Sequence, residues 1–180
     1  MRLVITQNVT ADGAVEMLDD WFDPGDQDQE LAAETRRQDE TCDAVLLGRQ
    51  TFEDFRGYWP QQVDDTTGVA DQLNRVRKYV ITTTLNEPGW QNTILLTGDP
   101  VEEVRRLKES PGDDIVLTGS ISLAHLLIAE DLADEYRMFV YPHLQGRGRR
   151  FFPDGHTARL ELADQRRFGA VSYLSYLPRR

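Results

Sequence analysis

Residues able to bind a phosphate group follow separate apolar runs of the chain. Gly48-Arg49-Gln50-Thr51 comes directly after the run 44–47, and Gly119-Ser120 comes soon after the run 115–117. Glycine lets a ligand approach the backbone, arginine can form paired hydrogen bonds with a phosphate, and a hydroxyl can add another. A Gly-Ser turn that opens a helix also leaves free N–H groups, which suit an anion. The alternatives are a surface ion pair for Arg49 and a simple strand-to-helix crossover at Gly119.

A further junction follows the apolar run 79–81 and consists of Thr82, Thr83 and Thr84. Threonine hydroxyls at the end of a strand can bind a phosphate or cap the next element. Ligands of open α/β sheets bind beyond the carboxyl ends of the strands. We therefore expect these junctions to lie together on one edge of a sheet.

The elements that would position these junctions alternate between strand and helix. Helical spacing predicts helices that start at Asp28 and stop near Cys42, and that start near 121 and stop at Asp134, with shorter helices between them. The segments 159–168 and 171–177 alternate loosely around Gly169, which predicts a closing hairpin. The sequence thus predicts an α/β fold with one mixed sheet, in a single domain over residues 1–180. The predicted strands before the hairpin are 3–5, 44–47, 79–81, 93–96, 115–117 and 136–141.

The composition argues against several classes of protein. The 180 residues include 20 basic and 31 acidic ones, and the net charge of -11 would repel duplex nucleic acid or an anionic membrane. Cys42 is the single cysteine of the sequence, so neither an intrachain disulfide nor a cysteine-built zinc site is expected. No apolar run is long enough for a signal peptide or a membrane span. We expect a cytoplasmic protein without a metal site.

The polar segment 14–27 separates the first predicted strand from the first predicted helix. It contains Trp21, Pro24, Gly25 and several aspartates. A loop of this length and polarity is typical of a mobile lid or a binding loop. A solvated connector is the alternative.

Three stretches of the chain resemble known families of reductases. LLGRQTFEDF at 46–55 resembles the Gly-Arg-x-Thr segment of the dihydrofolate reductase fold, and TADG at 10–13 resembles the first-strand signature of the reductase domain of riboflavin biosynthesis. The stretch 116–152 resembles that domain and its stand-alone relatives more closely. It contains, in the family's order, Gly119-Ser120, Asp134-Glu135, Pro142, Gly146, Gly148 and Phe152.

This resemblance covers nearly the whole chain and has consequences for the fold. It implies a dihydrofolate reductase-like three-layer sandwich. The sheet is expected to be mixed and mostly parallel, with a C-terminal antiparallel hairpin. The family resemblance also implies a homodimer, formed through the C-terminal strands.

The resemblance implies NADPH as the cofactor. By similarity, Gly48, Arg49 and Thr51 hold its phosphates, and Thr82 stands where the family usually has Ser or Thr. Thr83 replaces an arginine that the family often uses for the 2′-phosphate, which leaves Arg49 as the main candidate for that contact. The pyrophosphate and nicotinamide side would be lined by Thr118, Gly119, Ser120 and Ile121.

In such a reductase the cofactor supplies the hydride, and the protein orients it and excludes water. WFDPGD at 21–26 resembles the dihydrofolate reductase loop whose final carboxylate contacts the pterin. Asp26 is therefore the candidate proton donor, with a pKa raised by burial. Asp12 is the second candidate. A solvated loop acid is the alternative for Asp26, and a structural cap is the alternative for Asp12.

The function implied by the resemblance is NADPH-dependent reduction of a small heterocycle. The closest reaction is that of 5-amino-6-(5-phosphoribosylamino)uracil reductase, with dihydrofolate or pterin reduction as an alternative. A substrate phosphate would need basic partners, for which Arg147, Arg149 and Arg150 are candidates unless their loop is a solvated turn. Alternatives from another class are a non-catalytic nucleotide-binding dimeric module and a structural dimer. In a structural dimer, the interface would contain Trp59, Phe151 and Phe152.

Overall fold

A computed structural model, which describes residues 1–23 and 28–179, contains a single sheet of eight strands in its described part. Their order across the sheet is β4-β3-β2-β5-β1-β6-β8-β7. The first strand therefore lies at the centre of the sheet, and its residues 3–5 are fully buried. The strands are β1 (Arg2–Thr10), β2 (Cys42–Gly48), β3 (Arg77–Ile81), β4 (Thr93–Leu96), β5 (Asp114–Leu117), β6 (Glu135–Tyr141), β7 (Leu160–Phe168) and β8 (Val171–Pro178).

The strands β1 to β6 pair in parallel, whereas β8 runs antiparallel between β6 and β7. This arrangement confirms a mixed, mostly parallel sheet with a C-terminal antiparallel hairpin. The register of β7 shifts between Leu162 and Asp164, so Ala163 has no counterpart on β8. That extra residue is a β-bulge on the outermost strand.

Helices cover both faces of the sheet. Along β2, Ala44 and Leu46 share a core with α4 and α5, while Val45 and Leu47 pack with α2 and α3 on the opposite face. These two cores and a third beneath α1 give the predicted three-layer sandwich. The helices are α1 (Gln29–Asp39), α2 (Arg49–Tyr58), α3 (Val69–Arg75), α4 (Pro100–Glu109) and α5 (Ile121–Ala129), with a 3-10 turn at Trp59–Gln61.

Two helices end earlier than their apolar spacing predicted. The helix α1 ends at Asp39, because Cys42 already belongs to β2. The helix α5 ends at Ala129 rather than at Asp134, and Asp131 takes a left-handed conformation with φ of 53°. Leu132 follows this turn and is buried in the same core as the helix. The leucine spacing therefore indicated correctly that Leu132 is buried, although this residue lies outside the helix.

The proposed interface aromatics are less exposed than the structural-dimer hypothesis required. Phe151 is only 4% exposed and packs edge-on against Tyr136, with ring centroids 6.1 Å apart. Phe152 is half-buried against the same tyrosine. The sequence alone could not show that these rings close the core beneath β6.

A fully buried lysine joins the end of α3 to the sheet. Lys78 has 0% exposure, and its Nζ donates to the carbonyl oxygens of Leu73 at 2.6 Å and Val76 at 3.0 Å. The same ammonium lies 4.6 Å from the centroid of the Trp90 ring, within cation–π range. Burial lowers the pKa of Lys78 to about 8.

We predict that Lys78→Met lowers the free energy of unfolding by about 1–3 kcal/mol at pH 10, because it leaves two buried carbonyl groups without a donor. The folded pKa lies below the unfolded value, so the stabilisation by Lys78 is complete above about pH 10.5 and declines as the pH falls through about 8. The difference between wild type and variant should therefore be smaller at pH 7. Urea unfolding at both pH values measures it, and a difference that grows as the pH falls would contradict the assignment.

Candidate active site

Two of the predicted phosphate-binding junctions meet at the carboxyl edge of the sheet. The strands β2 and β5 are parallel neighbours, so Gly48 and Thr118 end up on the same side. Ser120 Oγ accepts a hydrogen bond from the Gly48 N–H at 2.8 Å, and the Ser120 N–H donates to Thr51 Oγ1 at 2.9 Å. The structure thus brings together four of the candidate residues, although they lie up to 72 positions apart in the chain.

Close packing at this junction requires a glycine at position 119. Gly119 has a φ of +63°, and a Cβ added there would lie 2.7 Å from Thr51 Cγ2. Its carbonyl oxygen accepts a hydrogen bond of 2.7 Å from Nε2 of Gln7, a residue of the central strand that sequence reasoning missed. The turn is therefore fixed from both neighbouring strands.

Two helix amino termini open side by side at this turn. Within the described residues, neither α2 nor α5 receives a side-chain cap, whereas Asp28 caps α1 and Asp99 caps α4. The first N–H groups of an uncapped helix carry partial positive charge and favour an anion. Adjacent uncapped helices at the end of parallel strands can receive a diphosphate.

Arg49 and the threonines occupy the borders of this junction. Arg49 is the first residue of α2, and its guanidinium forms an ion pair of 2.5 Å with Glu53, with 44% of its side chain exposed. Thr82 is buried, and its hydroxyl accepts from the N–H groups of Thr84 and Leu85, so it caps the turn after β3. Thr83 is exposed there. Thr118 and Ile121 are half-buried beside the turn.

Asp12 has a structural position at the same edge. Its carboxylate accepts from the Thr10 hydroxyl at 2.5 Å and from the Gly146 N–H at 2.8 Å, and it pairs with Arg150 at 3.1 Å. These hydrogen bonds, the one from Thr10 above all, hold the pKa of Asp12 well below its usual range. An ionised carboxylate with these partners is a poor proton donor, so the geometry favours the structural alternative. The other acid candidate, Asp26, lies outside the described residues.

Polar residues of the central strand lie near the Gly119 turn, and we call the surface that they form the cleft. Thr6 and Asn8 are half-buried in β1, where β6 flanks them but β5 has already ended at Leu117. Their side chains form no hydrogen bond within residues 1–23 and 28–179. By alternation they face the side of the sheet that carries α1 and α2. Sequence reasoning missed them, although three polar residues directly after a central apolar run were a usable signal.

An aromatic cluster lies at the end of β6, beside the end of the central strand. Tyr141, at the end of β6, pairs in register with Thr10, and its ring lies 5.4 Å from the Trp21 ring and 5.7 Å from the Phe22 ring between centroids. The Tyr141 hydroxyl is buried without a hydrogen-bond partner in the described structure, and burial raises its pKa to about 12. It is a protonated donor that lacks an acceptor.

The opposite edge of the sheet has a different character. Two cavities, of about 950 and 580 Å³, lie at the amino-terminal ends of the strands, away from the Gly119 turn. Charged side chains that are paired with one another line much of the smaller one, including Arg137, Glu135 and Asp114. Among the residues described, no group of three His, Cys, Asp or Glu side chains could hold a metal ion, and no helix could span a membrane.

The strand order, the helices on both faces and the paired glycine junctions define a dihydrofolate reductase-like α/β protein. Dihydrofolate reductase from Enterococcus faecalis, solved with NADP(H), has a TM-score of 0.61 with this chain at 17% identity. The match covers 99% of this chain and 97% of that one. The deaminase/5-amino-6-(5-phosphoribosylamino)uracil reductase of Thermotoga maritima has a TM-score of 0.68 at 15% identity; the match covers 99% of this chain and 56% of that one. At these identities the likeness concerns the fold.

The family follows from the sequence. Residues 2–173 match the RibD C-terminal domain, so the chain belongs to that family. The uncharacterized protein YyaP of Bacillus subtilis (strain 168) is 33% identical over 131 residues, which are 71% of this chain and 69% of that protein. The predicted fold and family are therefore confirmed.

We predict that Gly119→Ala lowers the free energy of unfolding by about 1–3 kcal/mol more than Gly146→Ala, because overpacking against Thr51 adds to the cost of a left-handed alanine. Gly146 is the matched control, since it also has a positive φ of 69° but no atom within 4 Å of an added Cβ. In the Gly119→Ala background, Thr51→Ser removes the opposing methyl group and should recover stability. Equal unfolding energies for the two alanine variants would refute the close approach.

Proposed function

We propose that this protein is an NADPH-dependent reductase of a small heterocyclic compound, related in reaction to 5-amino-6-(5-phosphoribosylamino)uracil reductase of riboflavin biosynthesis. The observation that carries the proposal is the pair of uncapped helices α2 and α5, tied together by Ser120 beside an open polar cleft. Family membership and the fold shared with a reductase that binds NADP(H) support it.

The residues at the Gly119 turn fit a nicotinamide dinucleotide. Gly119 has no side chain of its own to cover the turn, and the first N–H groups of both helices suit a pyrophosphate. Gly48, Thr51, Gly119 and Ser120 would hold these phosphates, with Thr118 and Ile121 at their sides and Thr82 beyond β3. The Arg49 guanidinium would leave Glu53 and bind the 2′-phosphate instead.

When bound, the cofactor supplies the hydride. The chain contributes binding and orientation: the cleft over Thr6 and Asn8 receives the substrate ring next to the Gly119 turn. The half-buried wall of Trp21 and Phe22 reduces the access of water. Asp26 is our candidate proton donor, because Asp12 is held ionised by its partners.

Dihydrofolate or pterin reduction is the second candidate. The aromatic ring of Trp21 and the uncharged groups Thr6, Asn8 and Tyr141 favour a flat ring with hydrogen-bonding edges, which a pterin also offers. A nucleotide-binding module without turnover is the alternative from another class.

The first experiment is a titration of the purified protein with NADPH and with NADH, followed by nicotinamide fluorescence. Oxidation of NADPH is then measured after addition of 5-amino-6-(5-phosphoribosylamino)uracil and, separately, of dihydrofolate. Failure of both cofactors to bind would refute the reductase, and binding without turnover would favour the module.

We predict that Arg49→Ala weakens NADPH binding by about 1–3 kcal/mol and leaves NADH binding nearly unchanged, because the lost contact is with the 2′-phosphate. Arg105→Ala is the matched control, since Arg105 is also an exposed helical arginine paired with a glutamate, Glu102, at 2.6 Å. Fluorescence titration of both variants with both cofactors measures the effect. An unchanged NADPH affinity in Arg49→Ala would exclude this role for the arginine.

We also propose a homodimer through the C-terminal strands. On one face of β6, β8 and β7, apolar side chains lie next to one another: Met138 opposes Leu174, and Tyr176 opposes Leu162, which is 47% exposed. No helix of the described structure buries Leu162, and contiguous exposed apolar surface is typical of an interface.

The substitution Leu162→Glu should convert the dimer to a monomer, because it places a charge in the apolar contact of both copies. Leu144→Glu is the control, since Leu144 is 75% exposed and lies in the loop 142–150, outside the sheet. Light scattering after gel filtration gives the mass of each variant. A wild-type monomer, or a dimer that survives Leu162→Glu, would contradict this interface.

A further inference from the structure

The arginines beside the cleft are already occupied by carboxylates. Arg147, Arg149 and Arg150 were the candidates for a substrate phosphate, and all three lie in the loop 142–150 that borders the cleft. Each is paired with an acid of the segment 12–19. The pairs are Arg147–Asp19 at 2.6 Å, Arg149–Glu16 at 2.7 Å and Arg150–Asp12 at 3.1 Å.

Backbone contacts hold these pairs in register. The Val15 N–H donates to the Arg149 carbonyl at 3.0 Å, the Phe151 N–H donates to the Gly13 carbonyl at 3.0 Å, and Ala14 and Arg150 form an antiparallel bridge. Glu16 also accepts from the Arg149 N–H at 2.8 Å and Asp12 from the Gly146 N–H at 2.8 Å, so these carboxylates stay beside the loop even if an arginine turns toward a phosphate. In the described structure the Glu53 carboxylate accepts only from Arg49, which is why that arginine can exchange it. The rim of the cleft therefore opposes a phosphate.

The end of the cleft at Tyr141 has hydrogen-bonding groups that a ligand could use. The buried Tyr141 hydroxyl and the buried His143 Nε2 have no hydrogen-bond partner in the described part of the chain. His143 Nε2 lies 3.7 Å from Asp19 Oδ2, beyond hydrogen-bond distance. A buried hydroxyl without a partner costs free energy, so it indicates an acceptor that is supplied by a ligand. Thr6 and Asn8 add neutral polar groups nearby.

On the proposed reductase function, we infer that the substrate is an unphosphorylated planar heterocycle. The Tyr141 hydroxyl donates a hydrogen bond to a carbonyl oxygen or ring nitrogen of that heterocycle, and Trp21 packs against the ring. Because the hydroxyl is closed to solvent, Trp21 and Phe22 turn aside from Tyr141 when the ring enters. The arginine–carboxylate pairs of the rim exclude the ribosyl phosphate of the riboflavin-pathway substrate.

The direct test compares 5-amino-6-ribosylaminouracil with its 5′-phosphate ester under identical conditions. We expect kcat/KM for NADPH oxidation to be at least about tenfold higher for the unphosphorylated compound, which corresponds to about 1.4 kcal/mol. Equal values, or a preference for the ester, would overturn the inference. If neither compound is reduced, their binding is followed by quenching of Trp21 fluorescence, with Trp21→Phe as the blank. The NADPH titration reports separately whether the reductase proposal holds.

Asp19→Asn provides a gain-of-function test, because it releases Arg147 and His143 from their acid. We expect about a tenfold rise in affinity for the phosphate ester and little change for the unphosphorylated compound. Asp20→Asn is the control, since Asp20 is exposed and its loss removes the same charge. Equal behaviour of the two variants would show that the rim pairs do not set this specificity.

Tyr141→Phe separates binding from structure. Loss of an unpartnered hydroxyl should leave the unfolding midpoint unchanged or higher, while affinity for the unphosphorylated compound falls about tenfold. NADPH binding should be unaffected. A lower midpoint with unchanged affinity would show that the hydroxyl has a structural role and would refute its assignment to the substrate.

Discussion

The geometry of the site depends on the two hydrogen bonds of Ser120. This residue joins the end of β2 to the end of β5, and its N–H group fixes Thr51 at the start of α2. As a result, the first residues of α2 and α5 lie next to each other at the carboxyl edge of the sheet. Gly119 makes this possible because no side chain fits between the turn and Thr51.

The two edges of the sheet divide stability and function between them. At the amino-terminal edge, Arg137 pairs with Glu135 at 2.7 Å and with Asp114 at 3.1 Å, and Ser175 donates to Glu135 at 2.8 Å, so the buried charges there are compensated. At the carboxyl edge, the helix amino termini and the Tyr141 hydroxyl lack partners in the described structure. Polar groups left without partners are the candidates for contacts with a ligand, so the proposed site lies at this edge.

Much of the fold and part of the site could be predicted from the sequence. Apolar runs located the strands, and the strand-to-helix junctions placed Gly48, Thr51, Gly119 and Ser120, because these signals are local. The roles of Gln7 and Tyr141 could not be predicted, since they depend on which strands become neighbours. Asp12 shows the same limit. The sequence suggested it as a proton donor, but the groups that hold it ionised come from Thr10, two positions away, and from the distant loop 142–150. Long-range pairing decides such chemistry.

The outermost strand has a feature that bears on aggregation. A long, regular edge strand is a template for unlimited sheet growth. In β7 the bulge at Ala163 interrupts the ladder, and Asp164, Arg166 and Arg167 place charges along the edge. Another chain cannot easily extend the sheet there by adding a strand. Open-ended polymerisation through this edge is therefore disfavoured.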